Sequence, residues 1–250
     1  SSIFDFKQTM LGQEGKGWFD HTLPTADELK ESIFQAHERA VSIGVLSTII
    51  ENHDEPRGVS HYIAEGPVND TSKKALGTIQ VLRKGIPFIY QGQEIGMENQ
   101  VFESVEDFDD IATINGYHVA KEAGLSEEEA LAAIANYSRD NARTPMQWTA
   151  EPGLGFSDGP AWLISPKPDY SINVEDQEKD PDSILNYYRQ LTALYRHPFY
   201  GNTIRFGDMI PAYRDRENII AFERRGDKRL LIVSNFQNRQ ASLELPAPIK

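Results

Sequence analysis

Residues 45–57 read VLSTIIENHDEPR, and this stretch decides which fold the sequence favours. Its first six residues are rich in β-branched side chains and nearly uniform in polarity, which is typical of a parallel strand covered on both faces. A histidine, an aspartate, two glutamates and an arginine follow within seven residues. Polar groups at the carboxyl ends of strands face the active site in parallel α/β barrels. The stretch therefore predicts either a functional cluster at a strand end or an ordinary loop with a local ion pair.

Two more strand candidates and two helix candidates flank this stretch. Residues 3–6 and 86–90 are short apolar runs that we expect to be strands. Residues 25–28, TADE, have the spacing of a capping box, and apolar residues follow at helical spacing. Residues 71–84 have a second apolar helical face, which stops at Gly85. The order strand, helix, strand, helix, strand predicts a parallel sheet with right-handed crossovers.

The next part of the chain is more polar. Residues 126–129, SEEE, form another capping box in front of a short alanine-rich helix. Residues 149–180 are rich in Pro, Gly and Asp, and a loop this long inside a compact domain usually has a function. The pair Asp180-Pro181 has the cap-plus-proline pattern of a helix start, so we expect the following apolar stripe to begin a helix there.

The last part of the chain favours a second, β-rich domain. From Thr203 onwards we expect short antiparallel strands, the clearest at residues 219–222 and 230–233. The sequence thus predicts a domain boundary near residue 200, with a first domain at residues 1–199 and a second at residues 200–250.

Composition limits the classes of partner. The 38 acidic and 25 basic residues give a net charge of -13, which disfavours nucleic acid and anionic membranes but suits a neutral ligand such as a sugar. There is no cysteine, and no apolar run approaches the roughly 20 residues that a membrane helix needs. The first residues lack the basic and apolar blocks of a signal peptide, so a cytoplasmic protein is the expectation.

Two further clusters could carry chemistry. Residues 90–96, YQGQEIG, follow the last predicted strand and suggest a polar pocket, although a tight loop braced by Glu94 is the interpretation we favour. Residues 138–148, SRDNARTPMQW, combine arginine with carboxylates, which predicts a structural ion-pair network or a ligand clamp. From the residues alone we lean to the structural network, and we expect Trp148 to lie in the core.

Other chemistries have poor support in the sequence. Residues 12–17, GQEGKG, resemble a phosphate loop, but a glycine follows the lysine where a hydroxyl must hold magnesium. The six histidines show no pair at metal-binding spacing, and there is no Gly-x-Ser-x-Gly elbow. We therefore expect no metal and no cofactor.

Read together, the three clusters resemble glycoside hydrolase family 13, the α-amylase family. Residues 51–54 resemble the family's seventh-strand motif, and residues 85–97 resemble its eighth strand. Residues 139–148 are similar to the branch that contains oligo-1,6-glucosidases, dextran glucosidases and sucrose isomerases. The resemblance implies an α/β fold, the C-terminal part of a (β/α)8 TIM barrel with about strands six to eight, followed by an antiparallel β-sandwich. Residues 3–6 would be the sixth strand.

The resemblance also implies roles for three residues. Asp54 would be the carboxylate that stabilises the transition state and binds hydroxyls of the sugar being cleaved. His53 would hydrogen-bond the same sugar, and Arg139 would fix its far edge. An oxocarbenium-like transition state carries positive charge at the ring, so a fixed anion lowers its energy.

The same resemblance places the nucleophile and the general acid on the family's fourth and fifth strands, which are not in this sequence. We therefore expect the chain alone to be inactive and to need the N-terminal part of the barrel as a partner. The calcium site of some relatives would also lie in that part. The resemblance implies a retaining α-glucosidase that hydrolyses α-glucosidic bonds, chiefly α-1,6, at the non-reducing end of short α-linked gluco-oligosaccharides.

Two other functions stay open at this point. A sucrose isomerase or glucosyl transferase of the same family shares the machinery and differs in how it excludes water. A non-catalytic barrel that binds a partner protein is the alternative from a different class. The presence of His53, Asp54 and Arg139 argues against it.

Overall fold

The computed structural model describes residues 2–64 and 66–245. The last five residues of the predicted second domain, 246–250, lie outside the described residues. In chain order the elements are β1 (Ser2–Phe4), α1 (Ala26–Ala40), β2 (Val45–Thr48), α2 (Gly58–Tyr62), α3 (Asp70–Leu82), β3 (Ile86–Pro87), α4 (Ile111–Glu122), α5 (Glu127–Tyr137), α6 (Val174–Lys179), α7 (Ile184–Tyr195), α8 (Gly201–Phe206), β4 (Asp208–Ala212), β5 (Ile219–Arg225) and β6 (Arg229–Asn235).

The first sheet is parallel, as the sequence predicts. Its strand order is β1-β2-β3, with Ile3 opposite Leu46 and Ser47 opposite Ile86. All three strands are shorter than predicted because the ladder continues by single bonds only, from the amide of Phe88 to the carbonyl of Thr48 at 2.9 Å for example. The expectation that β2 is covered on both faces along its whole length is wrong, since only its carboxyl half is buried.

The helices around this sheet begin where the local sequence predicts. Thr25 and Glu28 form both bonds of a capping box at the start of α1. Helix α3 has a second capping box, from Asn69, and ends at Leu82 rather than at residue 84. It ends early because Arg83 adopts an extended conformation and its buried guanidinium donates to the side chain of Gln8 and the carbonyl of Ile49.

Two predicted boundaries near the second sheet are wrong. The predicted helix start at Asp180-Pro181 is displaced, because the side chain of Ser183 accepts from the amide of Asn186 and caps α7. Thr203, where we expected strands to begin, lies in α8 instead. Its hydroxyl accepts from the amide of Lys228 and joins this helix to the turn between β5 and β6.

The second sheet is antiparallel, in the order β4-β5-β6, and it packs on the helices of the first part. One apolar core joins the two parts; among its buried members are Leu29, Ile33, Leu76, Ile79, Met209, Ile220, Phe222 and Ile232. In the part of the chain that the structure describes there is no other sheet facing β4–β6. The predicted sandwich and the boundary near residue 200 stay predictions.

Candidate functional site

Asp54 follows β2 at the carboxyl end of the parallel sheet. Three side chains from two parts of the chain contact its carboxylate there. Its Oδ1 lies 3.1 Å from Nη1 of Arg139 and 3.1 Å from Nη2 of Arg143, and its Oδ2 lies 3.3 Å from Nε2 of His53. The side chain is 51% exposed although both guanidinium groups touch it. The structure thus brings the three predicted site residues together around one accessible carboxylate.

Arg139 is held from its other side by a second carboxylate. Its Nε lies 2.9 Å from Oδ1 of Asp110, and the other carboxyl oxygen of Asp110 caps α4 by accepting from the amide and hydroxyl of Thr113. Burial alone would raise the pKa of Asp110, but the bonds from Thr113 and the charge of Arg139 outweigh it and lower that pKa. Asp110 therefore stays ionised and fixes the arginine that contacts Asp54.

Arg143 is a residue that the sequence reasoning did not single out. The 3-10 helix Arg139–Ala142 turns the chain so that both arginines of the RDNAR stretch approach Asp54. The Nε of Arg143 also donates to the backbone carbonyl of His53 at 2.9 Å. The density of arginine and carboxylate in residues 138–148 was the available signal, and the ion-pair network that we favoured from it is present. The expectation that Trp148 lies in the core is wrong, since its ring is exposed.

The buried carboxyl of Glu51 holds the loop that carries Asp54. This carboxyl is 2% exposed and accepts from the amide of Gly58 at 2.8 Å, across the whole loop. A side chain at Gly58 would place its Cβ 2.7 Å from the carbonyl oxygen of Ile50, so only glycine fits. Burial raises the pKa of Glu51 to about 7, against the opposing charge of Arg57 at 4.0 Å. Glu51 therefore supports the site without facing the solvent.

The cluster at residues 90–96 divides between the two interpretations. Glu94 accepts from the amide of Gly92 at 2.8 Å, and Gly92 has a φ of 92°, as in the braced tight loop that we favoured. Tyr90 instead reaches the site, where its hydroxyl donates to the carbonyl of Ala142 at 3.0 Å. The loop thus ties β3 to the segment that carries both arginines.

Three cavities meet at this group. A strand-end cavity of about 540 Å³ lies over the face of the parallel sheet that carries Phe4 and Phe88, and it extends to residues 51–55. A side cavity of about 320 Å³ lies between Asp54, Arg139 and the segment after β1. A third cavity, of about 580 Å³, runs from His53 and Arg143 to the exposed rings of Phe156 and Trp162. All three are bounded by His53 or Asp54, so a ligand in any of them lies beside the same carboxylate.

A family model described as "Alpha amylase, catalytic domain" matches residues 1–199. The chain belongs to the α-amylase family. It is 36% identical to an oligo-1,6-glucosidase of Halalkalibacterium halodurans over 249 residues, which are 99% of this chain and 44% of that enzyme. It is 34% identical to an oligo-1,6-glucosidase of Bacillus cereus, again covering 99% of this chain and 44% of the relative. The chain therefore spans less than half the length of these curated relatives.

Solved structures of α-amylase family enzymes superimpose on the chain. A trehalose-6-phosphate hydrolase of Bacillus licheniformis has a TM-score of 0.90 at 32% identity, covering 100% of this chain and 45% of its own. An isomaltulose synthase of Erwinia rhapontici NX5, solved with its natural substrate sucrose, has a TM-score of 0.89 at 31% identity, covering 99% and 44%. The chain has the fold of part of these enzymes.

Within residues 2–64 and 66–245, no three His, Asp or Glu side chains are grouped so that they could hold a metal ion. None of the helices described there is both long and apolar enough to cross a bilayer. What the site offers is an anion, two guanidinium groups and hydrogen-bonding side chains around open cavities. This set suits a neutral, hydroxyl-rich ligand whose reaction develops positive charge.

Proposed function

We propose that the chain supplies the C-terminal part of the catalytic unit of a retaining α-glucosidase, which hydrolyses α-glucosidic bonds, chiefly α-1,6, at the non-reducing end of short oligosaccharides. The observation that carries this proposal is the accessible carboxylate of Asp54, held by Arg139 and Arg143 at the carboxyl end of parallel strands. An oxocarbenium-like transition state is stabilised by an anion that does not have to reorganise. Asp54 takes that role in the proposal.

Two neighbours of Asp54 act as sugar ligands in this proposal. His53 is exposed beside the carboxylate, and its imidazole can bond a sugar hydroxyl as well as Asp54. Arg139 is half-buried, and its fork bonds Asp54 and Asp110 while its edge faces the side cavity. Arg143 is the residue that positions Asp54, because it also bonds the backbone of His53.

The nucleophile and the general acid come from the remaining strands of the barrel in this proposal. Several side chains around the strand-end cavity are apolar and exposed, which is evidence for a partner segment that covers them. They include Phe4, Phe6, Met10, Phe88 and Ile89. Exposed apolar patches of this kind mark surfaces that another element covers. The chain alone is then inactive, and the completed enzyme works in the cytoplasm.

A fusion tests this proposal. The N-terminal barrel segment of the Halalkalibacterium halodurans oligo-1,6-glucosidase is joined to this chain in one polypeptide, and glucose release from isomaltose is measured. We expect the fusion to hydrolyse isomaltose and each separate segment to be inactive. Asp54→Asn keeps the shape and removes the charge, so kcat should fall by about 10³-fold.

Asp227→Asn in the same fusion is the matched control, because Asp227 is exposed in the turn between β5 and β6 and lines none of the three cavities. Its turnover should equal that of the parent fusion. Near-normal turnover of the Asp54→Asn fusion would reject the assigned role. Hydrolysis by the chain alone would reject the need for carboxylates from another segment.

A sucrose isomerase is the second candidate, and its support is the likeness to the isomaltulose synthase solved with sucrose. Incubating the fusion with sucrose separates the two functions. Glucose and fructose as products favour the hydrolase, whereas isomaltulose or trehalulose favours the isomerase. The intact contacts among His53, Asp54 and Arg139 argue against a non-catalytic binding module.

A further inference from the structure

A fourth cavity lies where α3, α7 and β6 meet, and it shares no lining residue with the three cavities at Asp54. Its volume is about 690 Å³, and we call it the junction cavity. Two cations, Lys74 and Arg239, border it together with hydroxyl and amide side chains. We propose that the junction cavity binds a phosphorylated sugar. This inference goes beyond the proposed glucosidase function and does not depend on it.

The lining of the junction cavity is positive although the chain is acidic. The chain carries a net charge of -13, yet none of the described residues that border this cavity is an aspartate or a glutamate. Asp70, in the first turn of α3, borders a different cavity together with Lys73. The charges of Lys74 and Arg239 are therefore not offset within the described lining. A cavity with a lining of this kind attracts an anion.

The hydrogen bonds of the two cations go to neutral oxygens. The ammonium of Lys74 donates to the backbone carbonyl of Asp182, and the Nε of Arg239 donates to the side-chain oxygen of Gln237 at 3.2 Å. No ion pair within residues 2–64 and 66–245 involves Lys74 or Arg239. A phosphate group carries about 1.5 to 2 negative charges at pH 7 and accepts several hydrogen bonds. It can therefore pair with both cations.

The start of α3 adds to the positive field of the cavity. Asn69, Thr71 and Ser72, which form the cap and part of the first turn, border it. The side-chain oxygen of Asn69 accepts from the amide of Ser72 at 3.1 Å and fixes this helix end. The amino end of an α-helix carries a partial positive charge that favours a nearby anion. The helix thus supports the two side chains in attracting a phosphate group.

The remaining polar lining suits an uncharged group with hydroxyls. The carboxamides of Asn235, Gln237, Asn238 and Gln240 border the cavity, and a carboxamide both donates and accepts hydrogen bonds. The volume of about 690 Å³ lies within the range of about 300–1,000 Å³ for ligand pockets. A phosphate ion would fill only part of this space. A sugar joined to the phosphate fills more of it, and its hydroxyls match the carboxamides.

Bonds between the three elements hold the frame of the cavity. The hydroxyl oxygens of Thr78 and Tyr187 lie 2.6 Å apart and join α3 to α7. The hydroxyl of Ser234 donates to the carbonyl of Ala75 at 3.1 Å and joins β6 to α3. All four residues border the cavity. Because the frame is formed before a ligand arrives, binding costs little ordering of the backbone.

A ligand in the junction cavity should also stabilise the chain. The cavity lies where helices of the first part meet the second sheet, so a bound ligand contacts both parts. A ligand that binds only the folded chain raises the unfolding midpoint by mass action. At a concentration about a hundredfold above its Kd, glucose 6-phosphate should raise the Tm by about 5 °C.

Calorimetric titration of the chain with glucose 6-phosphate, inorganic phosphate and glucose tests the inference. We expect glucose 6-phosphate to bind saturably, phosphate to bind at least about tenfold more weakly, and glucose not to bind measurably at the same concentrations. Affinity should fall as the salt concentration rises, because the attraction is electrostatic. Equal affinity for glucose 6-phosphate and phosphate would reject the sugar as part of the ligand. Absence of binding by both phosphate compounds would reject the site.

Variants of the two cations show where the ligand binds. Lys74→Gln and Arg239→Gln should each weaken glucose 6-phosphate binding by about tenfold, since each removes a charge-assisted contact. The Tm of the chain without ligand should change by less than about 2 °C, because neither cation forms an ion pair. Lys16→Gln is the matched control, since Lys16 is exposed and borders none of the four cavities. It should bind as the parent does.

Two outcomes would overturn the assignment of the site. An equal loss of affinity in Lys16→Gln would show that the overall charge, and not the junction cavity, determines binding. Binding that is lost in Asp54→Asn and kept in Lys74→Gln and Arg239→Gln would place the ligand at Asp54. Neither outcome bears on whether the fusion hydrolyses isomaltose, so the glucosidase proposal is tested separately.

Discussion

The parallel sheet has two sides that differ sharply in how they are covered. On one side, which we call the closed side, α1 and α3 pack between the strands and the second sheet, and Phe34 and Phe222 are fully buried. The other side, the open side, holds the strand-end cavity, and Phe6 and Phe88 lie exposed there. Both sides are apolar. The closed side is packed within this chain, whereas the open side is exposed.

The two sides of the sheet contribute differently to folding and to the proposed function. The closed side is built from residues far apart in sequence that meet without help from any other polypeptide. The open side ends at Asp54 and the two arginines that contact it. Its apolar side chains are exposed in the isolated chain, so they contribute little to the stability of that chain. Stability of the chain should therefore depend on the closed side, while activity of the proposed fusion should depend on both sides.

The largest expected effect compares the same substitution on the two sides. Phe222 is 0% exposed in the joint core, and Phe222→Ala should lower the free energy of unfolding by about 3–5 kcal/mol. Phe88 is 46% exposed on the open side, and Phe88→Ala should change it by less than about 0.5 kcal/mol. Urea unfolding of the isolated chain measures both.

Equal destabilisation by the two substitutions would break the comparison, because it would show that the open side is already packed in the isolated chain. In the fusion, the difference between the destabilisation by Phe222→Ala and that by Phe88→Ala should be smaller. Phe88→Ala should then become destabilising, since a partner segment now covers the ring. The isolated chain and the fusion are thus each other's control.

Much of the fold, including parts of the closed side, was predictable because its signals are local. The capping box of Thr25 and Glu28 and the one that starts at Ser126 depend on neighbours three residues apart, and both form as predicted. The parallel strand order follows from the alternation of apolar runs and helical faces. The predicted start of α7 was wrong because Ser183 caps the helix in place of Asp180. The proline at position 181 does not show which of the two residues is the cap.

The site was predictable only in part because its bonds join distant segments. Asp54 and Arg139 are 85 positions apart, and sequence alone offered the family resemblance as the reason to pair them. The support from Asp110 had no such signal, since an aspartate directly before a helix indicates a cap and nothing more. It is both a cap and the partner of Arg139. The side cavity likewise depends on residues from three separate stretches of chain, 13–21, 54–61 and 137–139.

The next effect concerns Glu51, the buried carboxyl between the two sides. Its pKa is raised from 4.5 to about 7 in the folded chain, so folding keeps a proton that the unfolded chain releases. Stability therefore falls as pH rises from about 4.5 to 7, by on the order of 3 kcal/mol from this group. Glu51→Gln should remove that contribution, and its amide oxygen can still accept from Gly58.

Urea unfolding of the parent chain and of the Glu51→Gln variant at pH 5 and pH 8 measures this effect. The parent should lose more stability than Glu51→Gln between the two pH values, and the variant should be the more stable chain at pH 8. Glu55 contributes with the same sign in both proteins, so it cancels from the difference. Glu106→Gln, at an exposed position, should keep the pH dependence of the parent. Parallel pH profiles would show that Glu51 is ionised when buried.

The smallest effect lies at the rim of the closed side, where Arg214 joins the second sheet to α1. Its guanidinium lies 2.6 Å from Glu31 and 3.0 Å from Glu38, with its carbon 5.6 Å from the centre of the Phe34 ring. All three charged groups are exposed, and exposed ion pairs contribute about 0.2–1 kcal/mol. Arg214→Gln should therefore cost less than about 1 kcal/mol in low salt.

Salt decides which part of that small effect is electrostatic. At about 1 M salt the screening length falls to about 3 Å, so the ion-pair part of the Arg214→Gln effect should disappear. Any remainder is the packing of the side chain over Phe34, which belongs to the closed side. Arg189→Gln is the matched control, because Arg189 pairs with Glu178 at 2.7 Å and joins no two sheets. If Arg214→Gln cost as much as Phe222→Ala at either salt concentration, the second sheet would be held by its rim rather than by its core, and the contrast between the two sides would fail.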